Sequence, residues 1–305
     1  MRISTSSLYD SGVARITDLQ SSLARIQQQL ATGQRVLTPA DDPAAAAQAL
    51  DVKQSLALNH QLASNRASGR AVLNQVEGAL SSASDIVENA KALVVRAGNA
   101  SLDDQQRGFI AIELRGALDD LLALANAKDG AGNYLFAGYQ TGTQPYVRTA
   151  TGALYNGDDG ERMIQVQPAQ QLAVSATGRA VFEGGGQDMF RTLSDVISVL
   201  ETPVGSPAAS AALTAGLANA NGKLDKALDN VLTVRASVGS RLKQLDALDS
   251  AGGALAEQYR ETLGVLQDVD YAEAISELSK QQLTLEAAQQ SFLRLTSLSL
   301  FNYLS

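Results

Sequence analysis

Residues 217–269, LANANGKLDKALDNVLTVRASVGSRLKQLDALDSAGGALAEQYRETLGVLQDV, repeat an apolar or small side chain every seventh position in two columns. One column is Leu217, Leu224, Val231, Val238, Leu245, Gly252, Tyr259 and Leu266. The other is Ala220, Ala227, Val234, Arg241, Leu248, Leu255, Thr262 and Val269, with Arg241 and Thr262 as polar interruptions. Such columns make one narrow stripe along a helix, and that stripe needs a facing helix to leave water. A helix from Ala208 to Leu266 is about 90 Å long at roughly 1.5 Å per residue.

Its partner lies in the same chain. From Ala44 to Gly98, Leu73, Leu80, Val87 and Val94 form one column and Val76, Ala83, Ala90 and Ala97 the other. That helix is about 80 Å long on the same rise. Asp42 is placed to cap it, with Pro43 at the first helical position. Two helices of matched length, in opposite halves of the chain, are expected to pair antiparallel.

A capping arrangement at Ser101-Leu102-Asp103-Asp104 opens a third helix, which carries Ile110, Leu114, Ala117, Leu121 and Leu124 on one side and ends at Asp129-Gly130. From Gly132 to Gly186 the period changes to β. Turn signals stand at Asn156-Gly157 and Asp159-Gly160, and Ile164, Val166, Leu172 and Val174 alternate with polar residues around Pro168, which predicts a hairpin. Helix returns at Met189 to Leu200 and breaks at Thr202-Pro203 and Pro207.

The two ends of the chain repeat the heptad. A first helix, expected over Ser7 to Thr32 and stopped by Gly33, puts Ile16, Leu23 and Leu30 in one column and Leu19 and Ile26 in the next. The last helix, Tyr271 to Leu304, carries Ile275, Leu278, Leu285, Phe292 and Leu295. Folding the chain back brings these stripes together, but a two-helix pair covers only part of each, so the ten residues are candidate contacts with other subunits. Gln281, Gln282, Gln289 and Gln290 lie among them as candidates for fixing register through hydrogen bonds. The expected architecture is mainly α: a long antiparallel coiled-coil-like rod with the terminal helices paired at one end and a small β-rich domain inserted at the other. The implied domains are 1–43 with 268–305, 44–131 with 187–267, and 132–186.

Composition narrows the function. A net charge of −8 and no basic cluster argue against nucleic acid, and no apolar run reaches the roughly 18 residues of a membrane span. Cysteine is absent, which removes disulfides and thiolate metal sites. The N-terminal residues are polar, without the apolar core of a cleaved secretory signal. With 5% aromatics and no Trp, thin helical packing is expected.

Each possible chemical site has a simpler structural reading. His60 has no ligand or catalytic partner beside it, and Asp41 and Asp42 stand where a helix start needs caps. Asp158, Asp159 and Glu161 lack the spacing of a calcium loop and suit a turn. Gly184-Gly185-Gly186 is followed by no Lys-Ser or Lys-Thr and reads as a hinge rather than a phosphate loop. No catalysis and no cofactor are expected.

The chain resembles the flagellin superfamily, and within it the hook–filament junction family, through strings that occur in order along its length. These are Arg2-Ile3-Ser4-Thr5, Leu30-Ala31-Thr32-Gly33, Ala40-Asp41-Asp42-Pro43-Ala44, Gly132 to Tyr139 (GNYLFAGY) and Tyr155-Asn156-Gly157-Asp158. Toward the end come Asp270 to Ala274 (DYAEA), Ala287-Ala288-Gln289 and Leu298 to Leu304 (LSLFNYL). The resemblance implies a structural axial part of the flagellum that joins hook to filament through its terminal helices. It implies as partners further copies in a ring, a hook-side junction protein and filament-side flagellin. It also implies export by the flagellar type III secretion apparatus to an extracellular position, and a cytoplasmic export chaperone that holds Leu278, Leu285, Phe292 and Leu295. A flagellin-type filament subunit shares the helical plan and is the alternative. A chemoreceptor-like signalling coiled coil also has long heptads but carries a membrane span and no β insertion, and a wall hydrolase needs a carboxylate pair in a cleft that the sequence does not offer.

Overall fold

The computed structural model describes residues 2–304, and the side chains of Ser7 and of residues 9–294. Among them are seven α-helices: α1 Arg2–Thr32, α2 Pro43–Ala97, α3 Asp104–Ala125, α4 Gly178–Phe182, α5 Met189–Glu201, α6 Pro207–Gln267 and α7 Tyr271–Leu304. Four short strands, β1 Tyr146–Thr149, β2 Gly152–Tyr155, β3 Met163–Gln167 and β4 Gln170–Ala173, form two separate antiparallel hairpins, β1 with β2 and β3 with β4. The chain divides into two compact units, a central one of His60–Gly253 and a terminal one of Met1–Asn59 with Ala254–Ser305. Both α2 and α6 contribute to each unit.

In the central unit the heptad columns are the core. All eight column residues of α2 are buried, as are Leu217, Leu224, Val231, Val238 and Leu245 of α6. Ion pairs fix the direction: Arg70 meets Asp246, Glu77 meets Arg235 and Lys91 meets Asp225, so α6 numbers fall as α2 numbers rise and the pair is antiparallel. Helix starts follow the expected chemistry. Asp42 Oδ1 accepts from Ala45 N (3.0 Å) and Pro43 opens α2. Asp103 and Gln106 form a reciprocal capping box on α3, while Ser206 Oγ accepts from Ala209 N (3.2 Å) ahead of α6.

Some boundaries differ from the sequence reading. Helix α1 starts at Arg2 rather than Ser7. Helix α3 stops at Ala125 instead of Asp129, because Asn126 turns its side chain to the β1 backbone: its Oδ1 accepts from Tyr146 N (2.9 Å) and its Nδ2 donates to Tyr146 O (2.9 Å). The 132–186 segment holds a second hairpin, β1–β2, and the one-turn α4, and Asn156-Gly157 follows β2 rather than joining two strands. Gly184–Gly186 form a 3-10 turn against α6, where Asn230 Nδ2 donates to Ala180 O (2.8 Å) and Val181 O (2.9 Å).

Four of the chain's fourteen aromatic rings gather in one buried cluster. Phe136, Tyr146, Phe182 and Phe190 are fully buried, with Tyr146 and Phe190 centroids 4.7 Å apart and Phe136 edge-on to Phe182 at 5.3 Å. This cluster joins the hairpin β1–β2 to α5, and its offset and edge contacts add to the apolar burial. Arg148 of β1 pairs with Asp119 of α3 at the surface.

Hairpin β3–β4 docks differently. Gly69 of α2 is its seat: a Cβ there would lie 2.3 Å from Ile164 Cδ1 and 3.0 Å from Val174 Cγ1. Beside it the buried Arg66 donates from Nε to Asp249 Oδ1 (2.5 Å) and from Nη1 to Val166 O (3.0 Å), and Arg70 reaches the other oxygen of Asp249. Arg241, a polar break in the α6 column, donates to Ser175 O (3.1 Å). The break is therefore a contact with the segment that follows β4.

Burial pushes the Asp249 carboxyl up, but hydrogen bonds and charge from Arg66 and Arg70 outweigh it and hold it below the ordinary range. A carboxyl whose folded value is lowered stabilises the fold above its unfolded value, and that contribution is lost as pH falls through the folded one. Unfolding followed by circular dichroism should therefore show stability falling as pH drops below about 4, with a shallower slope in Asp249→Asn. At pH 7 that variant should lose about 3 kcal/mol, since Arg66 is left buried beside a neutral partner. In the same assay Gly69→Val should cost about 1–3 kcal/mol by displacing Ile164. Gly78→Ala, with nothing within 4 Å of the new methyl, should gain about 0.5–1 kcal/mol.

Candidate functional site

The two ends of the chain pack on each other. Helices α1 and α7 are in contact along the terminal unit, and the rings of Tyr9 and Phe292 sit 5.1 Å apart at 46°. Phe292 lies over the α1 backbone at Gly12, where a Cβ would come within 2.8 Å of the ring. At the other end of the pair, Val269 N donates to Gly33 O (2.9 Å) and Arg35 N to Gln267 O (2.6 Å). The pair is antiparallel, since Tyr9 is beside Phe292 while Gly33 is beside Val269.

Of the ten residues expected at an interface, one is buried in the chain itself, Ile26. Ile16, Leu19, Leu23 and Leu30 of α1 and Leu278, Leu285 and Phe292 of α7 are half-buried. Ile275 is 54% exposed, and the side chain of Leu295 lies outside the described residues. The structure thus brings the two stripes together as one seam and leaves most of that seam partly in water.

Exposed apolar side chains continue round α7. Leu283 is 69% exposed and Leu293 66%. At about 100° per residue Leu283 stands across the helix from Leu285, so α7 carries apolar groups on two sides and α1 covers one. Gln281, one of the four glutamines in the stripe, donates from Nε2 to Glu277 (2.9 Å), while its Oε1 is buried without a hydrogen-bond partner. Gln282, Gln289 and Gln290 are exposed.

Tyr9 and Gly12 extend the two α1 columns by one heptad, seven residues before Ile16 and Leu19, while Leu283 and Leu293 fall outside the α7 columns. Period seven carried back from Ile16 and Leu19 is the signal that finds Tyr9 and Gly12. Leu283 has polar Ser276 and Gln290 seven residues to either side, and Leu293 shares its spacing with Leu300 alone, so neither forms a column as long as the main stripe.

The acidic residues hold loops. Asp41 accepts from Thr38 N (2.8 Å), Thr38 Oγ1 (3.0 Å) and Leu37 N (3.2 Å), and the Thr38 bonds lead in drawing its carboxyl below the ordinary range. Asp158 accepts from Tyr139 N, Gln140 N and Gly160 N, which lowers its carboxyl too, while Asp159 pairs with Arg179 and Glu161 with Arg241. Each carboxylate of this trio has its own protein partner. His60 is exposed, and no described helix is long and apolar enough to cross a membrane.

Two terminal helices paired as one unit, with β hairpins carried on a second helical unit, define the flagellin class of architecture. Residues 3–141 match the bacterial flagellin N-terminal helical region and residues 222–304 the bacterial flagellin C-terminal helical region. The flagellar hook-associated protein 3 of Salmonella typhimurium is 36% identical over 315 residues, covering 99% of both chains. The flagellin of Bacillus subtilis is 26% identical over 279 residues, covering 90% of both. A solved putative flagellar hook-associated protein from Vibrio parahaemolyticus superposes with a TM-score of 0.69 at 25% identity, over 74% of this chain and 99% of that one. The chain belongs to the flagellar hook-associated protein 3 family.

Phe292→Ala should speed amide exchange across residues 9–20 about fivefold, the effect of about 1 kcal/mol of lost ring contact. Residues 60–253 should exchange at wild-type rates, which hydrogen-exchange mass spectrometry reads in the same experiment.

Proposed function

We propose that this protein is a structural, non-catalytic part of the bacterial flagellum that joins the hook to the filament and assembles through α1 and α7. The observation that carries the reading is the half-covered α7: Leu283, Leu293 and Ile275 in water, and Gln281 Oε1 buried with no donor. Covering one such leucine in a neighbour contributes about 1.5–3 kcal/mol, so assembly adds stability to the terminal unit. Full-length similarity to a hook-associated protein at 36%, against 26% to a flagellin, favours the junction over the filament.

In this reading the neighbours are further copies of the chain in a ring, a junction protein on the hook side and flagellin on the filament side. Ile16, Leu19, Leu23, Ile26 and Leu30 with Ile275, Leu278, Leu285, Phe292 and Leu295 supply the subunit contacts. Export runs through the flagellar type III apparatus to an extracellular site. Beforehand a cytoplasmic chaperone holds the α7 stripe at Leu278, Leu285, Phe292 and Leu295, as an amphipathic helix lies in a groove. The functional division is 1–43 with 268–305 as axial core, 44–131 with 187–267 as helical support, and 132–186 as outer β domain.

Deleting the gene in its host should leave hooks without filaments by electron microscopy and flagellin monomer in the medium. Normal filaments in that strain would overturn the junction role. Complementation with Leu285→Asp should fail to restore filaments, while the purified variant keeps the unfolding transition of residues 60–253.

A further inference from the structure

Helix α6 ends at Gln267, and its last carbonyls have no partners within the helix. Arg35, on the connector between α1 and α2, supplies two of the missing donors. Its backbone N donates to Gln267 O (2.6 Å) and its Nη2 to Leu266 O (3.1 Å). The positive guanidinium also lies at the negative end of the α6 dipole. Its Nη1 donates to Asp42 Oδ2 (3.1 Å), the residue whose other oxygen caps α2, and its carbonyl accepts from Gln29 Nε2 of α1 (2.6 Å). One residue thus bonds to three helices. Gln34 forms an isolated antiparallel bridge with Asp268 beside it, and Gly33, at φ +72, turns α1 into this pairing.

We propose that Arg35 is the positioning residue of the terminal unit: a clasp that ties the end of α6 to the start of α2 and the last turns of α1, and so fixes the register at which α1 and α7 pair. The guanidinium is half-exposed, with 48% of its side chain in water, so its ion pair with Asp42 adds little stability. What it adds is direction, because a planar guanidinium holds two donors at a fixed angle and can serve a carboxylate and a carbonyl together. A lysine keeps the charge and loses that geometry. The clasp joins residues 231 positions apart, so it closes only when both ends of the chain are present.

The clasp stands on the terminal geometry alone, and only its consequence for assembly rests on the junction reading. The test compares the full-length wild type with Arg35→Lys and Arg35→Ala by hydrogen exchange of residues 33–42 and 264–271, with residues 60–253 as internal reference. Both variants should exchange about tenfold faster in those two segments and nowhere in the reference, the scale of one lost charge-assisted hydrogen bond. In the complemented deletion strain, filament counts should fall with both variants. Wild-type exchange in Arg35→Ala overturns the clasp, and wild-type exchange in Arg35→Lys overturns its geometric basis. A filament defect without faster exchange places the fault elsewhere and overturns it too. Failure of the junction reading shows separately, as normal filaments in the uncomplemented deletion strain.

Discussion

A stripe of Leu, Val and Ala two columns wide covers only a fraction of a helix's circumference, and no helix can cover its own. In the central unit α2 and α6 solve this for each other: Leu73, Leu80 and Val87 are at 0% exposure, as are Leu224, Val231 and Leu245. Alternating large and small side chains lets the two backbones approach while filling the seam, and the ion pairs at Arg70, Glu77 and Lys91 select one direction and one register. Beside this seam α3 packs on α5, and the β1–β2 hairpin packs on both. Hairpin β3–β4 sits on α2 at Gly69 and is held by Arg66 and Arg241 from the two helices.

The terminal unit meets the same constraint with a different balance. Beyond Leu245 the α6 columns thin out, with Tyr259 and Leu266 half-buried and Leu255 exposed. Helices α1 and α7 touch through half-covered side chains, and the corner that joins their connectors is made of hydrogen bonds in partly exposed surroundings. Stability within one chain is therefore graded, and elements with few buried apolar contacts open at low cost. A unit of that kind is suited to finishing its fold on neighbours, because the entropy of ordering is spent where new apolar contacts are formed.

Much of this plan is legible in the sequence, and the limits have physical causes. Period-seven columns are strong signals because every member answers to one straight seam, and all eight α2 residues chosen that way are buried. Asp42 with Pro43 is a local signal and caps as such. The β1–β2 hairpin was invisible because its strands are four residues long and its pair Val147 and Leu154 faces water, which breaks the alternation of a half-buried strand. The ring cluster draws Phe136, Tyr146, Phe182 and Phe190 from well-separated segments, so no local window contains it. Arg241 looked like a flaw in a column because its partner, Ser175 O, is 66 residues away. The pairing of the α1 and α7 stripes is legible from their common period and the fold-back of the chain; the seating of Phe292 over Gly12 is not, since the two lie at opposite ends of the chain.

Arg35 belongs to the same class of hidden residue. Nothing in its neighbours marks it, because the groups it serves are the last carbonyls of a distant helix, Leu266 O being 231 residues later. Helix ends leave such carbonyls wherever they fall, and a chain that breaks α6 at Gln267 must find donors for them or leave them to water. Here the donors come from the opposite terminus. The break between α6 and α7 is then more than a loop: Val269, bonded to Gly33 O, and Asp270, which caps α7 through Ala272 N and Glu273 N, set where α7 begins once Arg35 has fixed where α6 stops. The register of the α1–α7 pair is thus decided at its connectors, by directional bonds, while the apolar seam supplies attraction that by itself would tolerate sliding.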